Sequence, residues 1–294
     1  MKPETKHRPA ALVREAASLC HLLGGTGAEH LVVVGGLVPP LLVPDPPDPH
    51  IGSGDVDFCL SVAITQGATR EYYRSIQATI EPYFEPVTGT GGFRWRKRYG
   101  VGGLPLLVDF LAPGDDGTPL ADGTRQLHDE TAAANAGPQL RPLPIRSGRL
   151  VDEDAISASV NGVDLIYRSN ARADVVIRHA GPVGFLAAKA DALHGRDEPK
   201  DGYDVSWWCL NAGNTPQAVA QLIFERQAFK DALFQESVAQ LEASFGAPDY
   251  VGPDGYAREK YPELRPGDDL YEQTRNRAYH AVSSVVAILK EKLW

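Results

Sequence analysis

The stretch Asp55-Val-Asp-Phe-Cys-Leu60 places two carboxylates one residue apart at the start of an apolar run, shortly after the apolar stretch Leu31-Val-Val-Val-Gly-Gly36. Because side chains alternate in a β-strand, we expect Asp55 and Asp57 on one face, about 7 Å apart at their Cα atoms. Carboxylates that converge in a site repel each other and favour a cation between them. Mg²⁺ suits such a pair, since it is usually bound by one or two carboxylates together with substrate phosphates. The pattern predicts a magnesium site, and the alternative is an acidic strand edge in water.

A third acid, Asp109, interrupts the apolar strand pattern Leu106-Leu-Val-Asp-Phe-Leu111. Burying a carboxylate there is costly unless it is paired or binds a metal. Asp109 is therefore either a third ligand of the same site or the partner of a cation from the nearby segment Arg94-Trp-Arg-Lys-Arg98. Alternate arginines of that segment would share one face of a strand, either in water or against phosphates.

Two glycines, Gly35 and Gly36, end the first apolar strand. A sharp turn there would present backbone N–H groups, with a helix start behind them, to a phosphate. A simple strand-to-helix turn is the alternative. Ser53 and Gly54 stand immediately before the acidic pair. In the company of the carboxylates, the glycine turn becomes a candidate phosphate contact.

A second group of charged residues lies between Lys189 and Asp204. Gly195 is placed to end the helix that carries Lys189, and Pro199 is placed to begin the next one. Arg196 and Lys200 would then lie on a tight corner between two helices. Cations at such a corner either meet a triphosphate or pair with the neighbouring acids.

The composition excludes several classes of protein. A net charge of −9 gives no general attraction to nucleic acid, so any RNA contact would need a local basic patch. Three scattered cysteines without CxxC spacing predict neither a disulfide framework nor a zinc site. No apolar stretch of about 18 residues and no signal-peptide pattern occurs, so we expect a cytoplasmic protein with no membrane partner.

The order of the predicted elements indicates an α+β protein with two domains. Strands and helices interleave up to about residue 112, and a β-hairpin is predicted around Asn161-Gly162. The segment 114–144 is rich in Gly, Ala, Pro and Asp, which predicts a weakly structured excursion. Residues 1–180 are expected to form a mixed sheet with helices, and residues 181–294 a helical domain.

The order of strand, Gly-Gly turn, helix, Asp-x-Asp strand and a later strand with one more acid resembles nucleotidyltransferases of the polymerase-β type. The resemblance implies a nucleotidyltransferase fold in which Asp55 and Asp57 hold two Mg²⁺ ions that bind an NTP. It also implies that Asp109 is the third metal-binding acid and helps to activate the attacking hydroxyl. Gly35 and Ser53, with the adjacent Gly36, would belong to the nucleotide-binding set.

The segment from Lys189 to Asp204 resembles the abortive-infection type of nucleotidyltransferase, called AbiEii-like, and the resemblance spans roughly residues 30 to 210. It implies that Lys189 contacts the nucleotide phosphates and takes part in catalysis. Lys200, Asp201 and Asp204 would frame the same pocket, joined by Arg196 at the corner.

These patterns lead to one leading hypothesis and two alternatives. The first is a Mg²⁺-dependent nucleotidyltransferase that moves an NMP from an NTP to an acceptor hydroxyl and releases pyrophosphate. By resemblance the acceptor is RNA, with a tRNA 3′ end as the candidate, and the protein is the toxin of a toxin–antitoxin or phage-defence system with an antitoxin protein as partner. The second keeps the chemistry but transfers to a small antibiotic or a protein side chain. The third is a catalytically degenerate protein that binds a nucleotide or a partner, and the presence of all three acids and Lys189 argues against it.

Overall fold

The structure is a computed structural model that describes residues 8–24, 30–61, 69–98, 106–114, 140–167, 171–196 and 198–294. The chain forms two compact units. The first consists of the chain up to Leu37 together with Gly52–His179, and the second of Val38–Ile51 together with Ala180–Trp294. The predicted fold class, a mixed sheet with helices followed by a helical C-terminal part, is confirmed.

The described helices and strands follow one another in this order along the chain: α1 (Pro9–Leu23), β1 (Leu31–Val34), α2 (Val38–Leu42), β2 (Asp55–Leu60), α3 (Thr69–Ile80), β3 (Phe84–Pro86), β4 (Arg94–Lys97), β5 (Leu107–Pro113), β6 (Leu143–Ile145), α4 (Gly148–Glu153), β7 (Ile156–Asp164), β8 (Arg172–His179), α5 (Pro182–Gly195), α6 (Pro199–Asn211), α7 (Pro216–Phe224), α8 (Ala232–Ser244), α9 (Val251–Lys260) and α10 (Asp269–Leu293). Short 3₁₀ turns cover Gly35–Leu37 and Gln227–Lys230.

The first unit is built on one mixed sheet with the strand order β3-β4-β5-β2-β1-β8-β7, and β6 pairs with β5. Strand β2 is parallel to β5 and β1 is parallel to β8, whereas β1 and β2 are antiparallel. The central strands are apolar and buried, and the rings of Phe58 and Phe110 stack across β2 and β5 at 6.2 Å. This arrangement puts the two acid-bearing strands side by side in the middle of the sheet.

The predicted hairpin at Asn161-Gly162 is wrong. Strand β7 continues through this dipeptide and pairs antiparallel with β8, with a shift of register between Val160 and Val163. Gly162 has a φ of +60°, and its N–H donates to Asp174 Oδ1 at 2.7 Å. The left-handed conformation that favours a hairpin turn is therefore used in a β-bulge, which inserts unpaired residues while the strand goes on.

The second unit is largely helical, and α6 begins at Pro199 as the sequence predicts. Three of its helices, α5, α6 and α7, start at a proline, whose fixed φ and missing N–H suit the first helical turn. Trp207 and Trp208 are fully buried in its core. A Cβ added to Gly202 on α6 would collide with the backbone of Gly252 on α9, so these two helices pack closely through their glycines.

The segment 38–51 belongs to this helical unit although it lies between β1 and β2 in the sequence. The indole of Trp207 donates to the carbonyl of Asp48 at 2.9 Å, and the N–H of Ile51 donates to the hydroxyl of Tyr203 at 3.1 Å. The side chain of Lys260 also pairs with Asp48. The proline-rich segment is thus held by α6 and α9, which the sequence did not indicate.

Three further sequence predictions concern the chain outside the central sheet. In the described part of the chain, no helix has both the length and the apolar character needed to cross a membrane. The three cysteines are buried free thiols. Of the segment 114–144, residues 115–139 lie outside the described ranges, and Leu143–Ile145 forms β6 at the end of β5.

Candidate metal centre

Three carboxylates meet on one face of the central sheet. In the parallel register of β2 and β5, Asp57 lies directly opposite Asp109, and Asp55 lies two residues before Asp57 on the same strand. One side-chain oxygen from each acid lies within 4.8 Å of the others. We call Asp55, Asp57 and Asp109 the carboxylate cluster. Asp109 therefore lies on the same side of the sheet as the acidic pair.

Gly35 makes room for one member of this cluster. It has a φ of +69°, in the left-handed region that favours glycine. A Cβ added to Gly35 would collide with Oδ2 of Asp57, which stands opposite Val34 in the sheet. The glycine turn thus has a structural function at the site. The predicted phosphate contact of Gly35 and Gly36 stays a prediction.

Ser53 orients a second member. Its hydroxyl donates to Oδ1 of Asp55 at 2.7 Å. The contact satisfies one lone pair of a half-exposed carboxylate and leaves Oδ2 directed elsewhere. Ser53 itself is buried. The serine that the sequence places next to the acidic pair therefore touches the site directly.

Arg94 on β4 binds the third member. Its Nε donates to Asp109 Oδ1 at 2.8 Å and its Nη2 to Oδ2 at 2.6 Å, while Nη2 lies 3.9 Å from Oδ2 of Asp55. The hydrogen bonds to Asp109 raise the pKa of Arg94 above its ordinary value, against the effect of burial, and the charges of the other two acids add to this rise. Asp109 is thus paired with an arginine of the predicted segment and also converges with the acidic pair. Its role as a metal ligand stays a prediction.

The donor set of the carboxylate cluster fits a hard divalent cation. All of its candidate ligand atoms are carboxylate oxygens, which Mg²⁺ prefers over softer donors. Among the described residues, Arg94 forms ion pairs with two acids of the cluster, Asp55 and Asp109. Asp55 and Asp57 are partly exposed whereas Asp109 is buried. The cluster therefore remains open to solvent at Asp55 and Asp57.

The other basic residues of the segment 94–98 have partners of their own. Arg96 pairs with Glu85 on β3, and Lys97 pairs with Glu15 on α1 at 3.0 Å. Arg98 donates to the carbonyl of Phe84 at 3.0 Å. As predicted for a strand, the side chains alternate, with Trp95 buried between its two arginine neighbours.

The second predicted group of charged residues lies within the helical unit. The ammonium of Lys189 lies 2.7 Å from Asp201 Oδ1 and 2.7 Å from Asp204 Oδ2. Lys200 also pairs with Asp204, and Arg196 Nε lies 2.8 Å from Asp201 Oδ2. We call these five residues, Lys189, Arg196, Lys200, Asp201 and Asp204, the ion-pair cluster.

Three members of the ion-pair cluster, Lys189, Asp201 and Asp204, are buried, and their charges stabilise one another. Burial by itself would raise the pKa of Asp204, but Lys189, Lys200 and a hydrogen bond from His50 hold it well below its ordinary value. Burial would lower the pKa of Lys189, and the charges of Asp201 and Asp204 raise it instead. Both partners are therefore held in their charged forms.

His50 also contacts the ion-pair cluster, which the sequence did not indicate. Its Nε2 lies 3.0 Å from Asp204 Oδ1, and its ring contacts those of Tyr203 and Trp207. Burial lowers the pKa of His50, and the bond to Asp204 offsets this only in part. No local pattern could have found it, because the contact joins residues 154 positions apart.

The structure thus groups the predicted site residues into two sets. Asp55, Asp57, Asp109, Gly35 and Ser53 lie together in the first unit, where Gly36 follows in the same turn. The ion-pair cluster lies entirely in the second unit. Its predicted contacts with a nucleotide stay predictions.

Comparisons with known proteins give little that identifies the chain. No protein-family model matches the sequence. No curated protein matches it. Among solved structures, the chain is similar to an antigenic nucleotidyltransferase-like protein from Paracoccidioides brasiliensis, with 13% sequence identity, 81% of this chain and 90% of that chain covered, and a TM-score of 0.42. A likeness of this size carries no argument about activity, so the case for a function rests on the geometry of the carboxylate cluster.

Proposed function

We propose that this protein is a metal-dependent nucleotidyltransferase, which moves the NMP part of an NTP to an acceptor hydroxyl and releases pyrophosphate. The observation that carries the proposal is the convergence of three carboxylates from neighbouring strands within 4.8 Å. An all-oxygen donor set of three carboxylates suits Mg²⁺ ions that are shared with the phosphates of a substrate.

The residues around the cluster have distinct roles in this proposal. Bound Mg²⁺ would neutralise the phosphates and lower the pKa of the acceptor hydroxyl. Ser53 orients the carboxylate of Asp55, and Gly35 leaves space for that of Asp57. Asp109 is the acid that we assign to the attacking hydroxyl, because it lies beside Asp57 and accepts two hydrogen bonds from Arg94.

The nucleotide-binding part of the proposal concerns two groups of residues. Gly35, Gly36 and Ser53 would approach the phosphates from the glycine turn. Lys189, Arg196, Lys200 and Asp204 are assigned to the nucleotide by the resemblance to AbiEii-like enzymes. Arg196 suits this role best by exposure, since its side chain is 59% exposed, whereas the side chain of Lys189 is 7% exposed.

An RNA acceptor, with a tRNA 3′ end first among candidates, is the acceptor that the same resemblance implies, together with a role as a toxin that an antitoxin protein neutralises. The competing acceptors are a small hydroxylated antibiotic and a protein side chain. An RNA acceptor would bind with a steep dependence on salt, because its contacts release counter-ions.

The test is a transfer assay with each α-labelled NTP, Mg²⁺ and total cellular RNA. We expect label in a tRNA-sized band with the wild type and a loss on the order of a thousandfold or more with Asp57→Asn. The matched control is Asp152→Asn, which removes a carboxylate of the first unit that pairs with Arg178 outside the carboxylate cluster. This variant should keep its activity.

Each result assigns one of the hypotheses. Label on protein or on an aminoglycoside instead of RNA would keep the chemistry and change the acceptor. Failure to transfer label to any acceptor, by a chain that still binds Mn²⁺ through Asp57, would contradict the enzyme proposal and favour a nucleotide-binding protein.

A further inference from the structure

Arg94 uses the same oxygens that a metal ion would use. Its two hydrogen bonds, at 2.8 and 2.6 Å, engage both oxygens of Asp109, and Nη2 lies 3.9 Å from Oδ2 of Asp55. Paired N–H···O bonds between a guanidinium and a carboxylate are strong and geometrically specific. The guanidinium and a divalent cation therefore compete for Asp109.

The charge of Arg94 acts in the same direction as its hydrogen bonds. A positive charge within a few ångströms of a divalent cation repels it, and the repulsion is larger near a protein surface than in bulk water. Arg94 is also the cation that contacts the carboxylate cluster within the described ranges. Without it, the three acids would attract a metal ion more strongly.

The Arg94 side chain is accessible to a ligand from solvent. Its side chain is 31% exposed, and it lies on β4, a strand of four residues. No hydrogen-bond partner of its Nη1 occurs in the described ranges. Because a guanidinium binds phosphate with the same forked geometry as carboxylate, a nucleotide phosphate offers Arg94 an equivalent partner.

We infer that Arg94 is an exchangeable counter-ion of the carboxylate cluster, which holds Asp109 when no divalent cation is bound and passes to a nucleotide phosphate when the metal enters. The inference rests on the proposed function and adds a residue that couples the two ligands to it. Arg94 weakens metal binding to the nucleotide-free protein and strengthens polyphosphate binding to the metal-loaded protein. Metal and nucleotide consequently favour each other's binding.

The first experiment measures Mn²⁺ binding to the full chain without nucleotide, by electron paramagnetic resonance of the free ion. Arg94→Gln should bind Mn²⁺ at least about tenfold more tightly than the wild type. Arg94→Lys keeps the positive charge but loses the paired hydrogen bonds of the guanidinium. Its affinity for Mn²⁺ should lie between those of the wild type and Arg94→Gln. The matched control is Arg96→Gln, which removes the same charge two residues along the same face, where the arginine pairs with Glu85. Its affinity for Mn²⁺ should stay that of the wild type.

The second experiment measures the binding of inorganic triphosphate at saturating Mn²⁺. Arg94→Gln should weaken it at least about tenfold, because the phosphate loses its forked partner. A single substitution would then move the two affinities in opposite directions. Circular dichroism melts of each variant establish that the fold is retained.

Three outcomes overturn the inference. If Arg94→Gln binds Mn²⁺ as weakly as the wild type or more weakly, Arg94 is a brace that orients Asp109. If triphosphate binding is unchanged in this variant, the guanidinium does not pass to a phosphate. If neither the wild type nor Arg94→Gln binds Mn²⁺ above the level of Asp57→Asn, the carboxylate cluster holds no metal, and the proposed function fails with the inference.

Discussion

The carboxylate cluster of the first unit and the ion-pair cluster of the second contain the same kinds of side chain, but their charges are matched differently. At the sheet, Arg94 is the cation described against three acids, two of which are partly exposed. In the helical unit, two buried acids are surrounded by two lysines, an arginine and a histidine. An open group of carboxylates is suited to a ligand, whereas buried acids that are each paired with cations are typical of a structural site.

The comparison predicts its largest effect on stability at Lys189. Lys189→Met removes the cation shared by Asp201 and Asp204 and leaves two buried carboxylates with fewer partners. Breaking a buried ion pair by removing one partner costs about 3–5 kcal/mol. We expect a decrease of that size in the free energy of unfolding, measured by urea denaturation followed by far-UV circular dichroism and tryptophan fluorescence.

The matched control for Lys189 is Arg196→Gln, because Arg196 contacts the same Asp201 from a largely exposed position. Exposed ion pairs contribute only up to about 1 kcal/mol. A Lys189→Met variant that keeps wild-type stability and loses nucleotide affinity would place Lys189 in the nucleotide site and break the comparison.

A smaller effect is expected at Gly35, where the constraint is steric. Gly35→Ala needs a residue with a side chain at a φ of +69° and brings its Cβ into Asp57. Backbone strain of this kind costs about 1–3 kcal/mol, and the displaced carboxylate should also weaken Mn²⁺ binding. Gly89→Ala has a φ of +85° with no atom within 4 Å of the added Cβ, so it should lose stability through strain alone and keep its metal affinity. Equal metal affinities for the two variants would remove Gly35 from the site.

At the carboxylate cluster, neutralising an acid should not lower the free energy of unfolding, in contrast to the substitutions at Lys189 and Gly35. Asp57→Asn removes repulsion between like charges, so the free energy of unfolding without metal should stay unchanged or rise by up to about 1 kcal/mol. Added Mg²⁺ or Mn²⁺ should raise the Tm of the wild type, since a ligand of the native state stabilises it, and should leave that of the variant unchanged. A variant that loses stability in the absence of metal would show that the acids hold the sheet together.

The smallest effect concerns pH and His50. Because its pKa is below the ordinary value of 6.5 in the folded protein, the unfolded chain takes up the proton first as the pH falls. Stability from this residue is therefore fully present above pH 6.5 and falls as the pH decreases through the interval below it. Urea denaturation between about pH 7.5 and about pH 5 should show a steeper loss for the wild type than for His50→Gln. Parallel curves would mean that His50 is not protonated on unfolding.

The carboxylate cluster could be predicted because it depends on local rules. Strand periodicity places Asp55 and Asp57 on one face, and an acid within an apolar strand needs a partner. Asp109 lies on β5, between β2 and β4 in the sheet. It therefore lies beside both the acidic pair of β2 and Arg94 of β4. That strand order follows from tertiary packing, and periodicity alone does not contain it.

The parts that could not be predicted depend on contacts that are distant in sequence or on glycines with two uses. The Asn161-Gly162 dipeptide has the backbone freedom of a turn and is used in a bulge. Helix α9 contains Gly252, Pro253 and Gly255, which favour a loop, yet Gly252 permits the close packing against Gly202. The assignment of residues 38–51 to the helical unit depends on partners such as Asp204 that no local pattern connects to His50.

The divided second unit has a consequence for biosynthesis and for dissection of the chain. Residues 38–51 are synthesised long before helix α6. The carbonyl of Asp48 and the imidazole of His50 therefore have no partner until Trp207 and Asp204 are made, more than 150 positions later. Such late pairing is characteristic of slow, non-local folding. A fragment that ends at His179 would contain residues 38–51 without the helices that hold them. A helical fragment of residues 180–294 lacks the carbonyl of Asp48, to which the indole of Trp207 donates in the intact protein. Residues 38–51 must be joined to that fragment to restore this hydrogen bond.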